Sequence, residues 1–285
     1  MYPAYLTKEK LHEFIRNAMK EDHGDGDHTS LGSIPVGTQV HAHLLFKQEG
    51  IVAGMEMAQI IFDMFSKDLL FESYKKDGDA IHAGEVGFKV SGDAIQLLGA
   101  ERLVLNCMQR MSGIATYTHY LKSLIRNSPA QLLDTRKTTP NFRIAEKWAV
   151  EIGGGTNHRF GLYDMVMLKD NHIDFAGGVA KALKSTKSYL KKSKKKLKIE
   201  IEVRSLQELR EVIGEGGVDR IMLDNMMPSQ MRQGIAMIAG KYETEASGGI
   251  TEMSISEIAD TGVDYISVGA LTHSYKSLDM SLKAI

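Results

Sequence analysis

Apolar residues change their spacing near residue 129. Upstream, Leu11, Phe14, Ile15 and Met19 recur at helical intervals behind Thr7, a residue suited to cap the turn they form. VHAHLLF (40–46) and GFKVSG (87–92) look like short strands, and MEMAQIIFDMF (55–65) predicts a helix between them. From Ala94 the run AIQLLGAERLVLNCMQRM is strongly helical, and ATYTHYLKSLI continues in the same style after Ser112-Gly113. Downstream of Ser128-Pro129, apolar strands alternate with amphipathic helices. The strands are AQLLD, MVMLK, KIEIEV, RIMLD, TEAS and YISVG; FRIAEKWAVEIG, SLQELREVIGEG and SISEIADTG are among the helices. Such repetition predicts a parallel sheet covered by helices. Periodicity alone fits a barrel or a doubly wound sheet equally, although no GxGxxG opens the first unit.

Composition narrows the functional classes. The chain has 285 residues, 43% hydrophobic and 25% charged, with a formal net charge of −1, so nothing global draws it to nucleic acid or to an acidic membrane. Its one cysteine, Cys107, rules out an internal disulfide and a thiolate zinc cluster, and its apolar helical setting suggests a buried, inert thiol. The N-terminal stretch is neither a signal peptide nor a clear transit sequence, and no apolar run reaches membrane-spanning length, so a reducing cytoplasm is the expected compartment. EDHGDGDHTS (21–30) lacks the spaced acidic ligands of a calcium loop and is expected to be a turn and cap. The nine lysines of residues 181–198 are expected to form a solvated helix face rather than a nucleic-acid patch.

Chemistry concentrates where the strands end. AQLL runs into Asp134-Thr135-Arg136-Lys137, MVML into Lys169-Asp170-Asn171-His172, IEIE ends at Glu202 and RIML at Asp224-Asn225; TEA gives Ser247-Gly248-Gly249, and ISV gives Gly269. Parallel barrels build their active sites at these ends. Arg136, Lys137, His158, Arg159 and Lys169 make a cationic group in a chain of nearly zero net charge, which points to an anionic ligand. Glu202 and Asp224 suit a magnesium ion or ligand hydroxyls. The last glycines let main-chain N–H groups approach a phosphate, or simply make a tight turn. A sugar phosphate at the last loops and a polyanion at the basic ones would suit transfer at an anomeric carbon. A non-catalytic phosphate-binding barrel and an aldolase with Lys169 as Schiff base are the rival classes.

The segments DTRKTTP, GGGTNHRFGLYD, LKDNHI, IEIEV, LDN, ASGGI and SVGALTHS, in this order, resemble the quinolinate phosphoribosyltransferase family. EDHGDGDHTS and GAERLVLNCMQRMSGIAT extend the likeness over nearly the whole chain. The local departures are Asn141-Phe142, where the family often has Gly-Leu, and Thr156. The resemblance implies an N-terminal α/β sandwich domain (1–108) and an incomplete, seven-stranded TIM-like α/β barrel (109–273), with the tail 274–285 packing back on the first domain. Six strands are legible, so the seventh is either missed or irregular. It further implies a homodimer, or a higher oligomer, in which Arg102 reaches the neighbour's site. Arg136, His158, Arg159 and Lys169 would line the quinolinate and pyrophosphate pocket, with Lys137 beside them. Glu202 and Asp224 would address ribose hydroxyls and Mg2+, Ser247, Gly248, Gly249 and Gly269 the ribose phosphate, and His273 would lie near that phosphate. Lys137, Lys169, Glu202 and Asp224 are the residues expected to carry catalysis. The implied reaction joins quinolinate to phosphoribosyl pyrophosphate with loss of CO2, giving nicotinate mononucleotide for NAD biosynthesis, without nucleic-acid or membrane partners. Another phosphoribosyltransferase of this fold, acting on a monoacid such as nicotinate, is the nearest rival; the surplus of cations favours a diacid.

Overall fold

Thr7 caps the first helix as its sequence suggests: its Oγ1 accepts the N–H of Lys10, and α1 (Lys8–His23) buries Leu11 and Ile15. Asp27 then caps α2 (His28–Ser33) by accepting the N–H groups of Thr29 and Ser30 at 3.1 Å, which makes EDHGDGDHTS a turn and cap. The computed structural model describes residue 3 and residues 5–285. These form two compact units, the first made of Met1–His119, Lys137–Gly154 and Ala270–Ile285 and the second of Tyr120–Arg136 and Gly155–Gly269.

The first unit is built on an antiparallel sheet. β1 (Gln39–Phe46) and β5 (Val86–Asp93) pair at its centre, flanked by β12 (Met280–Ala284) and β3 (Leu70–Ser73). The C-terminal tail therefore supplies an edge strand, with Leu44 opposite Leu282. A second, two-stranded sheet pairs β2 (Gly50–Ile51) with β4 (Ala80–Ile81). Helix α3 (Met55–Phe65) places Phe62 against Phe88 and Phe71 of the larger sheet, with ring centroids 5.8 and 6.0 Å away. Its N-terminus is capped from a distance by Asp77, whose carboxylate accepts the N–H groups of Gly54, Met55 and Glu56. The two helical stretches after Ala94 form one helix, α4 (Ala94–Leu124), which Ser112-Gly113 does not interrupt. Ser112 Oγ exchanges hydrogen bonds with the main chain of Ala53, and a side chain at Gly113 would collide with the main chain of Lys276. Burial pushes the Cys107 thiol on this helix up to about 12, so the thiol is inert. Helix α5 (Arg143–Ile152), the first helix after the change in spacing, belongs to this unit rather than to the parallel sheet, buried from Ile144 to Val150. The units thus interleave along the chain.

In the second unit all six expected strands are present: β6 (Gln131–Leu133), β7 (Val166–Leu168), β8 (Ile199–Val203), β9 (Arg220–Asp224), β10 (Glu243–Ser247) and β11 (Tyr265–Ser267). They pair in parallel in the order β6-β11-β10-β9-β8-β7. A seventh position is reduced to a single parallel bridge between Thr156 and Leu133, on the free edge of β6. The order is that of an α/β barrel left open between Thr156 and β7. Helices α6 (Asp170–Ala176), α7 (Val179–Ser193), α8 (Leu206–Glu215) and α9 (Pro228–Ile238) pack side by side in sequence order, and α10 (Ile255–Ala259) follows before β11. The lysine run lies on α7 and the turn after it. There Lys187 donates to the carbonyl of Gly216 at 2.6 Å, where α8 ends, while most of the other lysines face solvent. No described helix is long and apolar enough to cross a membrane.

Candidate functional site

In the second unit, parallel pairing puts the polar strand ends side by side. Alternation along β8 turns Glu200 and Glu202 to one face and Ile199, Ile201 and Val203 to the other. Lys169, which follows β7, places Nζ 3.4 Å from Glu202 Oε2. Lys169 also opens α6, and its N–H donates to His172 Nδ1 at 3.0 Å, so His172 acts as the cap of that helix. Burial first, and the charge of Asp224 second, push the Glu202 carboxyl above its ordinary range; Lys169 only partly offsets them.

Asp224 closes β9 and accepts Asn225 Nδ2 at 2.7 Å, while the N–H of Asn225 donates to the carbonyl of Ser247 at 2.9 Å. These bonds tie the end of β9 to that of β10. Asn225 sits at φ 52°, a left-handed conformation that asparagine tolerates better than most residues. Gly248 has φ +94°, and any Cβ there would collide with the Asn225 side chain; Gly249 is left-handed too, but faces open space. Gly248→Ala is therefore expected to lose about 1–2 kcal/mol from the backbone conformation alone, and more from the clash. Gly249→Ala should lose only the backbone part, so urea titration of the two variants should rank Gly248→Ala clearly lower.

The basic loop is held from beneath. Asp134, fully buried after β6, accepts His158 N–H at 2.8 Å and Asn157 Nδ2 at 2.7 Å. Arg159 donates from its main chain to His158 Nδ1 at 2.6 Å and from Nη1 to the carbonyl of Met165 at 3.1 Å. Asp164 accepts the N–H groups of Phe160 and Gly161, which closes the turn. Arg159 is half-buried, and its pKa is lowered by that burial and then by the charge of Arg136. Two guanidinium groups held within reach of each other favour an anion.

Sequence reasoning overlooked the layer below. His158 Nε2 lies 3.0 Å from Glu200 Oε2 and 3.5 Å from Glu245 Oε2, both carboxylates being fully buried. Arg220 donates to Glu245 at 3.0 Å and to Glu243 at 3.1 Å, and stacks on Tyr265 with its guanidinium carbon 3.9 Å from the ring centroid. Burial and the neighbouring Glu200 push Glu245 up to about 7. His158, Glu200 and Glu245 carry metal-ligating groups within 4.8 Å of one another, but Arg220 already supplies countercharge there. Register could have exposed this layer, since Arg220 pairs with both Glu200 and Glu243 across neighbouring strands.

In the first unit, Lys137 and His273 line one cavity of ≈ 290 Å³ with Arg110, Thr138, Thr139, Thr272 and Tyr275. Thr272, on the short α11 (Ala270–His273), donates to the carbonyl of Lys137 at 2.8 Å. Arg110 of α4 fixes the wall. Its guanidinium binds the fully buried Glu146 and lies between the rings of Phe142 and Tyr275, 5.2 and 4.8 Å from their centroids. Asn141 has φ 63°, which accounts for asparagine where the family often has glycine. Arg102 lies exposed on α4 and does not line this cavity.

An open α/β barrel with cations, paired carboxylates and glycine turns at its strand ends belongs to the class of barrel enzymes that act on phosphorylated, anionic substrates. The family model described as quinolinate phosphoribosyl transferase, C-terminal domain, matches residues 114–283, and the corresponding N-terminal domain matches residues 27–112. A mitochondrial quinolinate phosphoribosyltransferase [decarboxylating] of Nicotiana tabacum is 47% identical over 99% of this chain and 84% of its own length. A probable nicotinate-nucleotide pyrophosphorylase [carboxylating] of Bacillus subtilis is 42% identical over 96% of this chain and 93% of its own. The solved nicotinate-nucleotide pyrophosphorylase of Francisella tularensis superposes with a TM-score of 0.90 at 36% identity, covering 98% of both chains. The chain belongs to the quinolinate phosphoribosyltransferase family.

Proposed function

We propose that this protein transfers the phosphoribosyl group of phosphoribosyl pyrophosphate to quinolinate and releases CO2, forming nicotinate mononucleotide for NAD biosynthesis. Family membership along the whole chain carries the reading, and the paired guanidinium groups of Arg136 and Arg159 support a diacid as the acceptor.

The pyridine nitrogen gives its lone pair to the anomeric carbon, and the bond from that carbon to oxygen breaks with its electrons leaving on pyrophosphate. Arg136 and Arg159 hold the two carboxylates, so the nitrogen is presented in one orientation. Lys169 stabilises the departing anion, while Ser247, Gly248, Gly249 and Gly269 offer main-chain N–H groups to the ribose phosphate; in the first unit, Lys137 and His273 offer cations to a phosphate. The ring nitrogen is then positively charged. The carboxylate beside it leaves as CO2, its bonding pair remains on the ring carbon under that charge, and the carbon takes a proton from the medium.

Glu202 and Asp224 bind ribose hydroxyls and are the residues that would hold Mg2+. They present hard oxygen donors, and the charge of Asp224 adds to the burial that raises the Glu202 carboxyl, which suits a divalent cation. Magnesium bound there supplies positive charge to the pyrophosphate.

We further infer a homodimer in which the exposed Arg102 serves the neighbouring copy. The lone, buried Cys107 is compatible with a reducing compartment such as the cytoplasm.

A product assay with quinolinate, phosphoribosyl pyrophosphate and magnesium tests the reaction. Equal amounts of nicotinate mononucleotide and CO2 are expected, with no turnover of nicotinate. Turnover of nicotinate instead would move the assignment to a monoacid transferase.

A further inference from the structure

Thr138 and Thr139 stand between Lys137 and Pro140, and both hydroxyls are engaged inside the first unit. Thr138 Oγ1 accepts Arg143 Nε at 2.8 Å, and Thr139 Oγ1 accepts Arg110 Nη2. The Lys137 carbonyl accepts Thr272 Oγ1 at 2.8 Å. The wall of the cavity that holds Lys137 is thus fastened at three successive residues. The fastening of Thr139 is built around one carboxylate. A free-standing arginine–carboxylate pair engages both oxygens. Here Arg110 Nε, at 2.9 Å, and Nη2 converge on Glu146 Oε1, which leaves Oε2 to accept the N–H of Thr139 at 3.1 Å. Thr139 is therefore held at its main chain by Glu146 and at its side chain by Arg110. Glu146 is fully buried; burial pushes its carboxyl up, and the hydrogen bond from Arg110 is the first of the contacts that hold it down. The rings of Phe142 and Tyr275 cover the guanidinium, and Phe14 backs Phe142 edge-on with centroids 5.4 Å apart.

We propose that Arg110 and Glu146 are positioning residues for the phosphate-bearing substrate: together they lock Thr139, and so set where the Lys137 ammonium stands in its cavity. The inference deepens the functional reading above, since it rests on Lys137 offering its charge to a phosphate. A lysine is a point charge on a flexible stem, so its aim depends on the main chain that carries it. Residues 137–142 belong to no helix or strand and have no ladder of their own to hold them. Arg110 on α4 and Glu146 on α5 carry the rigidity of two helices into that loop. The pair of threonines acquires its meaning there, because each hydroxyl accepts a guanidinium from one of the same two helices.

Arg110→Lys keeps a charge beside Glu146 but cannot reach both the carboxylate and Thr139 Oγ1 with one planar group. It is expected to raise the KM for phosphoribosyl pyrophosphate about tenfold, the loss of one hydrogen bond to a charged group, and to hold the KM for quinolinate within about threefold. Thr139→Val keeps the branch at Cβ and deletes the acceptor, so it should raise the same KM and spare the other. Both substitutions break one bond, so the double variant should be no worse than Arg110→Lys alone. A pair that only stabilised the fold would lower Tm and kcat and leave the two KM values in their native ratio. Rises of equal size in both KM values, a loss confined to kcat, or additive effects in the double variant would overturn the proposal. If Arg110→Lys does not fold, Thr139→Val decides by the same two constants. A second measurement stands apart from the reaction: calorimetric titration with inorganic pyrophosphate and magnesium. The native protein should bind pyrophosphate about tenfold more tightly than Arg110→Lys does. Equal affinity, or no binding by the native protein, would overturn the proposal. Should the native enzyme make no nicotinate mononucleotide yet bind pyrophosphate in that order, the reaction assignment fails and the positioning of Lys137 stands.

Discussion

Glu202→Gln is expected to yield a protein that resists heat better than the native enzyme and turns over about 10²–10³-fold more slowly. Both halves follow from the same carboxylate. Glu202 is nearly buried, and its pKa is raised by that burial and by Asp224. A carboxyl whose pKa is higher in the folded state than in the unfolded chain binds more protons when folded. Stability then falls as pH rises from the ordinary carboxylate value of 4.5 through the raised one, and above that window the ionised group is a standing cost. Glutamine keeps the shape and removes that cost. It also removes the charge that would hold Mg2+ and accept ribose hydroxyls, so turnover suffers while the fold gains. Melting curves of the two proteins from pH 4 to pH 8, with the product assay at saturating magnesium, test the pair of claims. The gap in Tm should widen with pH. A variant less stable at neutral pH would mean that Lys169 and bound water already offset the charge, and near-native turnover would remove Glu202 from the site.

Parts of this molecule are legible in its sequence and others depend on partners far along the chain. The six strands of the parallel sheet could be read because each is a short apolar or alternating run, and the residues ending them stood out because such a sheet gathers those ends on one side. IEIEV, however, has two glutamates on one face, and only the terminal one stands at a strand end. Glu200, Glu245 and Arg220 acquire meaning only from register, which sets strands against each other that lie 20 or more residues apart. Long-range partners account for other gaps. Asp77 caps α3 from 22 residues beyond Met55, and Ser112-Gly113 resembles a helix break until Ala53 and residue 276 are seen against it. The short strands β2, β3 and β4 have too few buried positions to show a period, and β12 has one. FRIAEKWAVEIG does form a helix, but periodicity cannot say which core a helix joins; seven of the ten residues of α5 are buried in the first unit.

Arg159→Lys should raise the KM for quinolinate about 10- to 100-fold, the loss of a charge-assisted hydrogen bond with its geometry, and leave the KM for phosphoribosyl pyrophosphate nearly unchanged. Lysine keeps the charge, so a loss of this size would show that direction matters more than potential. The native arrangement is built for two negative charges. Arg159 is half-buried beside Arg136, whose charge disfavours the Arg159 cation until an anion lies between them. A dianion relieves that repulsion more fully than a monoanion, so quinolinate should raise the Tm of the native protein more than nicotinate does at the same concentration. In Arg159→Lys the ammonium offers no planar fork, and it cannot reproduce the anchoring donation to the Met165 carbonyl together with a bidentate contact to a carboxylate. The difference between the two ligands should therefore shrink in the variant. An unchanged quinolinate KM would show that Arg136 and Lys169 suffice for the acid. A rise confined to phosphoribosyl pyrophosphate would move Arg159 to the phosphate side, and with it the reason for the glycines and the asparagine that precede it in the chain.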